Sequence, residues 1–341
     1  MGLRGYIIKR IIYTFFLIIF VLCLNFVIFE ILPHNPTVYF VGSTSSTHMT
    51  PAKIKQILHE WGLDKPWPVR FATYMYRMLT FQFGDNTPNV GGTVNHLILQ
   101  YLPNTLVLMG IATVLAILIG VTLGVIAAQK RGGLFDNVAV LGSLATYSIP
   151  TFWLGLIGIA LFAVYTHVLP PNGVVSVNMP PWVAFHLFGY KLSIMSTTEI
   201  INRITHLIMP AGILTIVSFG GYTLLTRATM LESLTEDYIL TAKAKGLRER
   251  TVIFKHALKN ASLPIITSVA LAFGFLISGA LITETVFDYK GIGWLTIYCI
   301  FNTLNEPALQ AIFYVIALCV IFANFVSDLL YGVIDPRIKY G

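Results

Sequence analysis

The 341-residue sequence predicts an all-α integral membrane protein, and three observations predict it. Hydrophobic residues make up 56% of the chain and charged residues only 11%, with a mean hydropathy of +0.76. That leaves too little polar surface for a soluble globule of this size. Several windows free of Asp, Glu, Lys and Arg are long enough to cross a bilayer, which takes roughly 20 apolar residues. The cations, finally, are shared unevenly between the segments that join those windows, as the topology of a membrane protein requires.

Six windows can hold a span: Ile11 to Phe29, Leu102 to Gln129, Asn137 to Thr166, Ile204 to Thr226, Asn260 to Thr283 and Pro307 to Ser327. In lipid such runs become helices, because each backbone N–H and C=O must find an internal partner. The first run is too long, and too far past its basic residues, for a signal peptide. It is read as a retained helix. Placing the N-terminus inside puts Arg4, Lys9, Arg10, Lys130, Arg131, Arg227, Arg337 and Lys339 in the cytoplasm, with six more cations from a central insert. Lys53, Lys55, Lys65, Arg70, Arg77, Lys191, Arg203 and Lys290 fall in longer outer segments. This asymmetry returns both termini to the cytoplasm. The net charge of +7 is therefore a topology signal, spread over loops, and nothing in it points to nucleic acid.

The expected organisation is a tail and first transmembrane helix over 1–32, a long structured outer loop over 33–101, a core transmembrane domain over 102–332 and a cytoplasmic tail over 333–341. In the outer loop, Thr50 as N-cap, Pro51 at the first helical position and Gly62 as C-cap predict one helix. A second is expected from Pro68 to Leu79. Its aromatics, with Phe81 and Phe83, suit a surface near the headgroups. In the second span Gly110, Gly120 and Gly124 permit close helix packing. In the third, Pro150 within Ser148-Ile149-Pro150 removes a backbone hydrogen bond and predicts a kink. That break can line a pathway or simply bend a helix.

The central insert, 230–263, is the most charged part of the chain. Its cations are Lys243, Lys245, Arg248, Arg250, Lys255 and Lys259, against Asp237 and Glu249 between Asp237 and Pro264. Tyr238 to Lys245 consists largely of good helix formers, and Gly246 stands where a left-handed cap would end the helix. A second helix is expected from Thr251, as N-cap, to Asn260. Pro264 would then open the next span from its first turn.

Here the chain resembles a family. Thr241-Ala242-Lys243-Ala244-Lys245-Gly246, followed by His256-Ala257-Leu258-Lys259-Asn260, is similar to the cytoplasmic coupling segment of permeases of ATP-binding-cassette (ABC) importers. The branch is the dipeptide/oligopeptide type, and within it the DppB/OppB-like first subunit. Where the general importer motif begins Glu-Ala-Ala, this chain reads Leu240-Thr241-Ala242. Further phrases in order strengthen the resemblance: Leu102 to Leu106, Ser148 to Gly155, Glu284 to Phe287, Gly291 to Gly293 and Asp335 to Arg337, with the long outer loop.

The resemblance implies a type I ABC importer permease fold of six transmembrane helices in the cell membrane. It implies a second homologous permease subunit, two ABC ATPase subunits and an extracytoplasmic substrate-binding protein as partners. It assigns coupling to the ATPase to Tyr238, Thr241, Ala242, Lys243, Ala244, Gly246, Leu247 and His256. In this reading the small Ala242 and Ala244 let the helix sit deep in an ATPase groove. Ser148, Pro150, Glu284 and Phe287 are its pathway or gating candidates. The implied cargo is di- or oligopeptide, with oligosaccharide or nickel as the alternative. The outer loop either covers the outer mouth or contacts the delivery protein.

The residues also bound the chemistry. No phosphate loop of the form G-x-x-x-x-G-K-[ST] occurs, so ATP and Mg belong to partner subunits and the chain is not expected to be an enzyme. No cofactor of its own is expected. Its eight histidines never fall at i, i+3 or i+4 spacing, which speaks against a metal site. Cys23, Cys299 and Cys319 lack motif spacing and read as small hydrophobes. The span interiors carry no carboxylate or lysine, which counts against the proton relays of a secondary transporter.

Overall fold

A computed structural model describes residues 3–31, 59, 64–84, 92–176, 183–187, 190–194, 196–275, 280–303 and 305–334. The expected helix between Thr50 and Gly62 lies outside the described residues, except for His59. So does the tail over 335–341. The described architecture is helical apart from one hairpin. The chain divides into two compact units: Met1–Thr105, Ile277–Leu281 and Gly291–Gly341 form the first, and Leu106–Leu276 and Ile282–Lys290 the second.

In the first unit, α1 (Leu3–Phe26) runs into a π turn, Val27–Ile31. Its Phe16 and Phe20 are exposed, as side chains facing lipid would be. Helix α2 (Trp67–Leu79) follows, with Pro66 in extended conformation before it and Pro68 in its first turn. The expected outer helix is thus present within one residue of its predicted start. The amphipathic α2 packs Tyr74 and Met78 onto Leu22 and Phe26 of α1, in a core shared with Ile312 and Tyr314. Burial, then the neighbouring Tyr314, pushes the Tyr74 phenol up from its ordinary value. Arg70 of α2 donates to both the carboxylate and the carbonyl of Glu30, which ties α2 to the π turn that ends α1.

Helix α3 (Val94–Gln129) starts eight residues before the expected window, because the polar turn that opens it is helical too. It leads into the second unit, where α4 (Leu134–Ser148) and α5 (Thr151–Gly158) make up the third predicted span. Together with the π turn Ile159–Tyr165 they meet at an angle of 95°. The break falls where Ile149, held extended before Pro150, leaves the helical region, as a residue preceding proline tends to do. The expected kink is present, and it is nearly a right angle. The segment that follows carries the hairpin: β1 (Val183–Leu187) pairs antiparallel with β2 (Tyr190–Ile194), in register from Val183↔Ile194 to Leu187↔Tyr190. The sequence expectation did not include it, although the alternating β-branched and aromatic residues favour strand.

Helix α6 (Thr197–Leu234) is capped by the Ser196 hydroxyl, which accepts from the N–H of Glu199 at 3.1 Å. It passes Pro210 without a break. Small residues bring it against two neighbours. A Cβ built on Gly120 of α3 would lie 2.5 Å from Tyr222 Cβ, and one on Gly124 would lie 2.6 Å from Thr226 Cβ. On α6 itself, a Cβ on Gly220 would meet the Ser143 carbonyl oxygen of α4 at 2.5 Å. Gly110, by contrast, faces open space. The packing expected of Gly120 and Gly124 is present, and that of Gly110 is not.

The remaining helices are α7 (Asp237–Ala244), α8 (Leu258–Phe275), α9 (Leu281–Val286), α10 (Ile292–Tyr298) with a π turn to Thr303, and α11 (Glu306–Ile334). Among the described residues, four helices are long and apolar enough to cross a membrane, and the bent pair makes a fifth. The window Asn260 to Thr283 is described only in part, as α8 and the start of α9.

Candidate functional site

The predicted coupling segment is described throughout, and its local geometry follows from its residues. Helix α6 ends at Thr235, and Glu236 in extended conformation turns the chain into α7. Gly246 adopts φ +72°. Its N–H donates to the Lys243 carbonyl at 2.9 Å and the Leu247 N–H donates to that of Ala242 at 3.4 Å. This is the paired cap that a left-handed glycine permits, and it stands where the sequence placed it. A side chain here would meet nothing within 4 Å, so only backbone conformation demands glycine. Gly246→Leu is expected to destabilise the reversal by about 1–2 kcal/mol. Hydrogen exchange at the Gly246 and Leu247 amides should then rise by about tenfold, and an unchanged rate would show that the cap contributes nothing.

The next part departs from expectation. Thr251 is not an N-cap: a helical turn begins at Glu249 after extended Arg248, then passes through a π turn, Val252–Ala257, directly into α8. Pro264 accordingly lies inside α8 instead of opening it. There is one continuous rod from the coupling segment into the next apolar run. The reason is local: nothing between Thr251 and Asn260 breaks a helix, and the π turn absorbs the extra residue.

Burial sorts the predicted coupling residues. Ile239 and Ala242 are buried against Val125 and Ala128 of α3, Met230 of α6, and Val252, Ile253 and Ala257. Ala242 therefore faces its own chain. Tyr238 also turns inward. Its hydroxyl lies 2.6 Å from Ser233 Oγ, and Ser233 Oγ donates to the Ala257 carbonyl at 2.9 Å. Thr241, Lys243, Ala244, Gly246 and Leu247 are exposed, and His256 is half-buried in the π turn. The outward face also carries residues that sequence reasoning did not single out: Leu240 is 70% exposed and Phe254 57%, beside Leu247 at 39%.

The pathway candidates separate into two pairs. Ser148 and Pro150 are exposed at the break between α4 and α5, and the Ser148 hydroxyl donates back to the Leu144 carbonyl at 2.8 Å. Glu284 and Phe287 are buried in the second unit. There they hold a turn: the Tyr289 N–H donates to the Glu284 carbonyl at 2.8 Å, and the Phe287 carbonyl accepts from the Gly173 N–H at 2.9 Å. Gly155 of α5 gives room beside Val286 and Phe287, where a Cβ would come within 3.2 Å.

One ion pair was not anticipated. Asp136, at the start of α4, accepts from Arg227 of α6 through both carboxylate oxygens, at 2.5 and 2.8 Å. The Gly132 N–H adds a third bond at 2.9 Å. Among the described residues, no three His, Cys, Asp or Glu side chains gather as metal ligands.

Comparison with known proteins identifies the family. Residues 120–340 match the family described as binding-protein-dependent transport system inner membrane component, and residues 3–109 match the N-terminal family of the same membrane component. The chain is 37% identical over 319 residues to the di/tripeptide transport system permease protein DppB of Pseudomonas aeruginosa, covering 93% of each. It is 33% identical over 338 residues to the oligopeptide transport system permease protein AppB of Bacillus subtilis, covering 99% of this chain and 100% of that protein. The dipeptide permease protein DppB of Escherichia coli K12 is 34% identical over 322 residues, with 93% of each covered. Among solved structures, the inward-facing MetNI methionine ABC transporter shares the fold, with a TM-score of 0.51 at 14% identity over 70% of this chain and 96% of that one. The chain belongs to the binding-protein-dependent transport system inner membrane component family, and is a multi-pass membrane permease subunit of an ABC importer.

Proposed function

We propose that this chain is the first of two permease subunits in an importer of di- or oligopeptides, driven by ATP and Mg on two separate ATPase subunits. Six spans with both termini in the cytoplasm, and a substrate-binding protein delivering cargo from outside, complete the reading. The names of the relatives support peptide as cargo. Ser148 and Pro150, exposed at the break between α4 and α5, and Glu284 and Phe287, in the turn packed against α5, are its pathway or gating candidates.

One observation carries the coupling assignment. The segment packs one face into its own chain through Ile239 and Ala242, yet leaves Leu240, Leu247 and Phe254 outward among cations. Large apolar side chains left exposed along one short charged segment mark an interaction surface. A groove with an apolar floor and an acidic rim fits them. The rim charges contribute little, so the apolar residues decide the affinity. Leu240→Asp is expected to leave insertion unchanged and to weaken ATPase association by about tenfold or more. Co-purification of the ATPase subunits with tagged permease reads this directly. Full recovery of ATPase with the Leu240→Asp chain would reduce the segment to a positive-inside loop.

A further inference from the structure

We propose that Ser233 is a positioning residue for coupling: its hydroxyl straps α7 and the head of α8 to the end of α6, so that the three move as one body. The proposal rests on the coupling reading above but concerns side chains that face inward. Ser233 is buried one residue before the end of α6, and Ala257 is fully buried at the end of the π turn that leads into α8. A serine hydroxyl has one proton and two lone pairs. Because it donates to the Ala257 carbonyl at 2.9 Å, the 2.6 Å contact with Tyr238 must be donated by the phenol. The order is fixed: Tyr238 gives to Ser233, and Ser233 gives to Ala257.

The three residues belong to three consecutive elements, the two rods and the helix between them. Apolar packing from Ile239, Ala242, Val252 and Ile253 surrounds them, and packing alone is non-directional. It allows α7 to slide or roll under load. A two-bond relay with fixed donors and acceptors does not, since it fixes both distance and angle. Removal of the Ser233 hydroxyl takes one bond from the half-buried phenol and one from the buried Ala257 carbonyl, and a bond lost away from water is felt most. Motion applied at α7 would then reach α6 and α8 unequally.

The experiment uses the full assembly with its ATPase subunits, in a chain whose native cysteines are replaced. Nitroxide labels at Thr241→Cys and Lys259→Cys, both exposed positions, report the distance between α7 and α8 by pulsed electron resonance, with and without ATP. The expected parent result is one narrow distance, unmoved by ATP. Ser233→Ala is expected to widen that distribution about twofold and make its mean depend on ATP. Tyr238→Phe keeps the ring and removes one bond, so it should widen the distribution less. The double variant should match Ser233→Ala, because the residues act as one unit. Ser233→Ala and Tyr238→Phe chains that both stay as narrow as the parent would overturn the proposal. Failure of the docking reading shows separately, as retained ATPase with Leu240→Asp, and leaves the width comparison intact because both labels and the strap lie in this chain.

Discussion

Asp136→Ala is expected to destabilise the protein by about 3 kcal/mol, the lower end of the cost of orphaning one partner of a buried ion pair. The Asp136 side chain is almost wholly buried and accepts two bonds from Arg227 and one from the Gly132 N–H. The substitution takes the acceptor from all three donors at once. Arg227 is 27% exposed, so water reaches part of the guanidinium and keeps the cost from the upper end. The unfolding midpoint of detergent-solubilised protein measures the effect. Asp136→Ala/Arg227→Met removes the stranded charge and should recover about half of the loss. A single variant as stable as the parent would place the pair with surface ion pairs, most of which contribute almost nothing.

Gly220→Leu is expected to be comparably damaging, by about 3 kcal/mol, for a different reason. Its Cβ would stand 2.5 Å from the Ser143 carbonyl oxygen and 3.2 Å from Ser143 Cα. Backbone cannot swing aside as a side chain can, so α4 and α6 must separate. Neighbouring Gly221 faces open space, and Gly221→Leu serves as the control: it replaces glycine by a better helix former and should bring no loss. If the two variants melted together, the close approach of α4 and α6 would carry no energy.

Much of this was legible in the sequence because it depends on residues near one another. Pro150 announced the bend, Gly246 the reversal, and Pro68 the start of α2. The limits were equally physical. Composition cannot show which side of α7 turns inward, since Ala242 and Leu240 are both good helix residues; the choice is made by Val125, Met230 and Ile253 from elsewhere in the chain. Asp136 and Arg227 lie 91 positions apart, and in sequence each looked like an ordinary charge at the end of a span. Pro264 was misplaced because proline is favoured at a helix start, while the π turn before it carries the helix through. Ser233 gave no local sign at all, for its two partners come from different elements.

The clasp of α6 between α3 and α4 has a mechanical consequence. Contact through Gly120, Gly124 and Gly220 makes a fulcrum near Thr223, where glycine backbone bears on the backbone and Cβ atoms of its neighbours. At 1.5 Å per residue, the arm from there to Leu234 is about 16 Å and the arm to Thr197 about 39 Å. The pivot is off-centre, and the short arm ends where α7 begins. A push of ~1 Å at that end therefore becomes a swing of ~2 Å at the far end, before any flexing at Pro210. A helix hung this way trades force for travel.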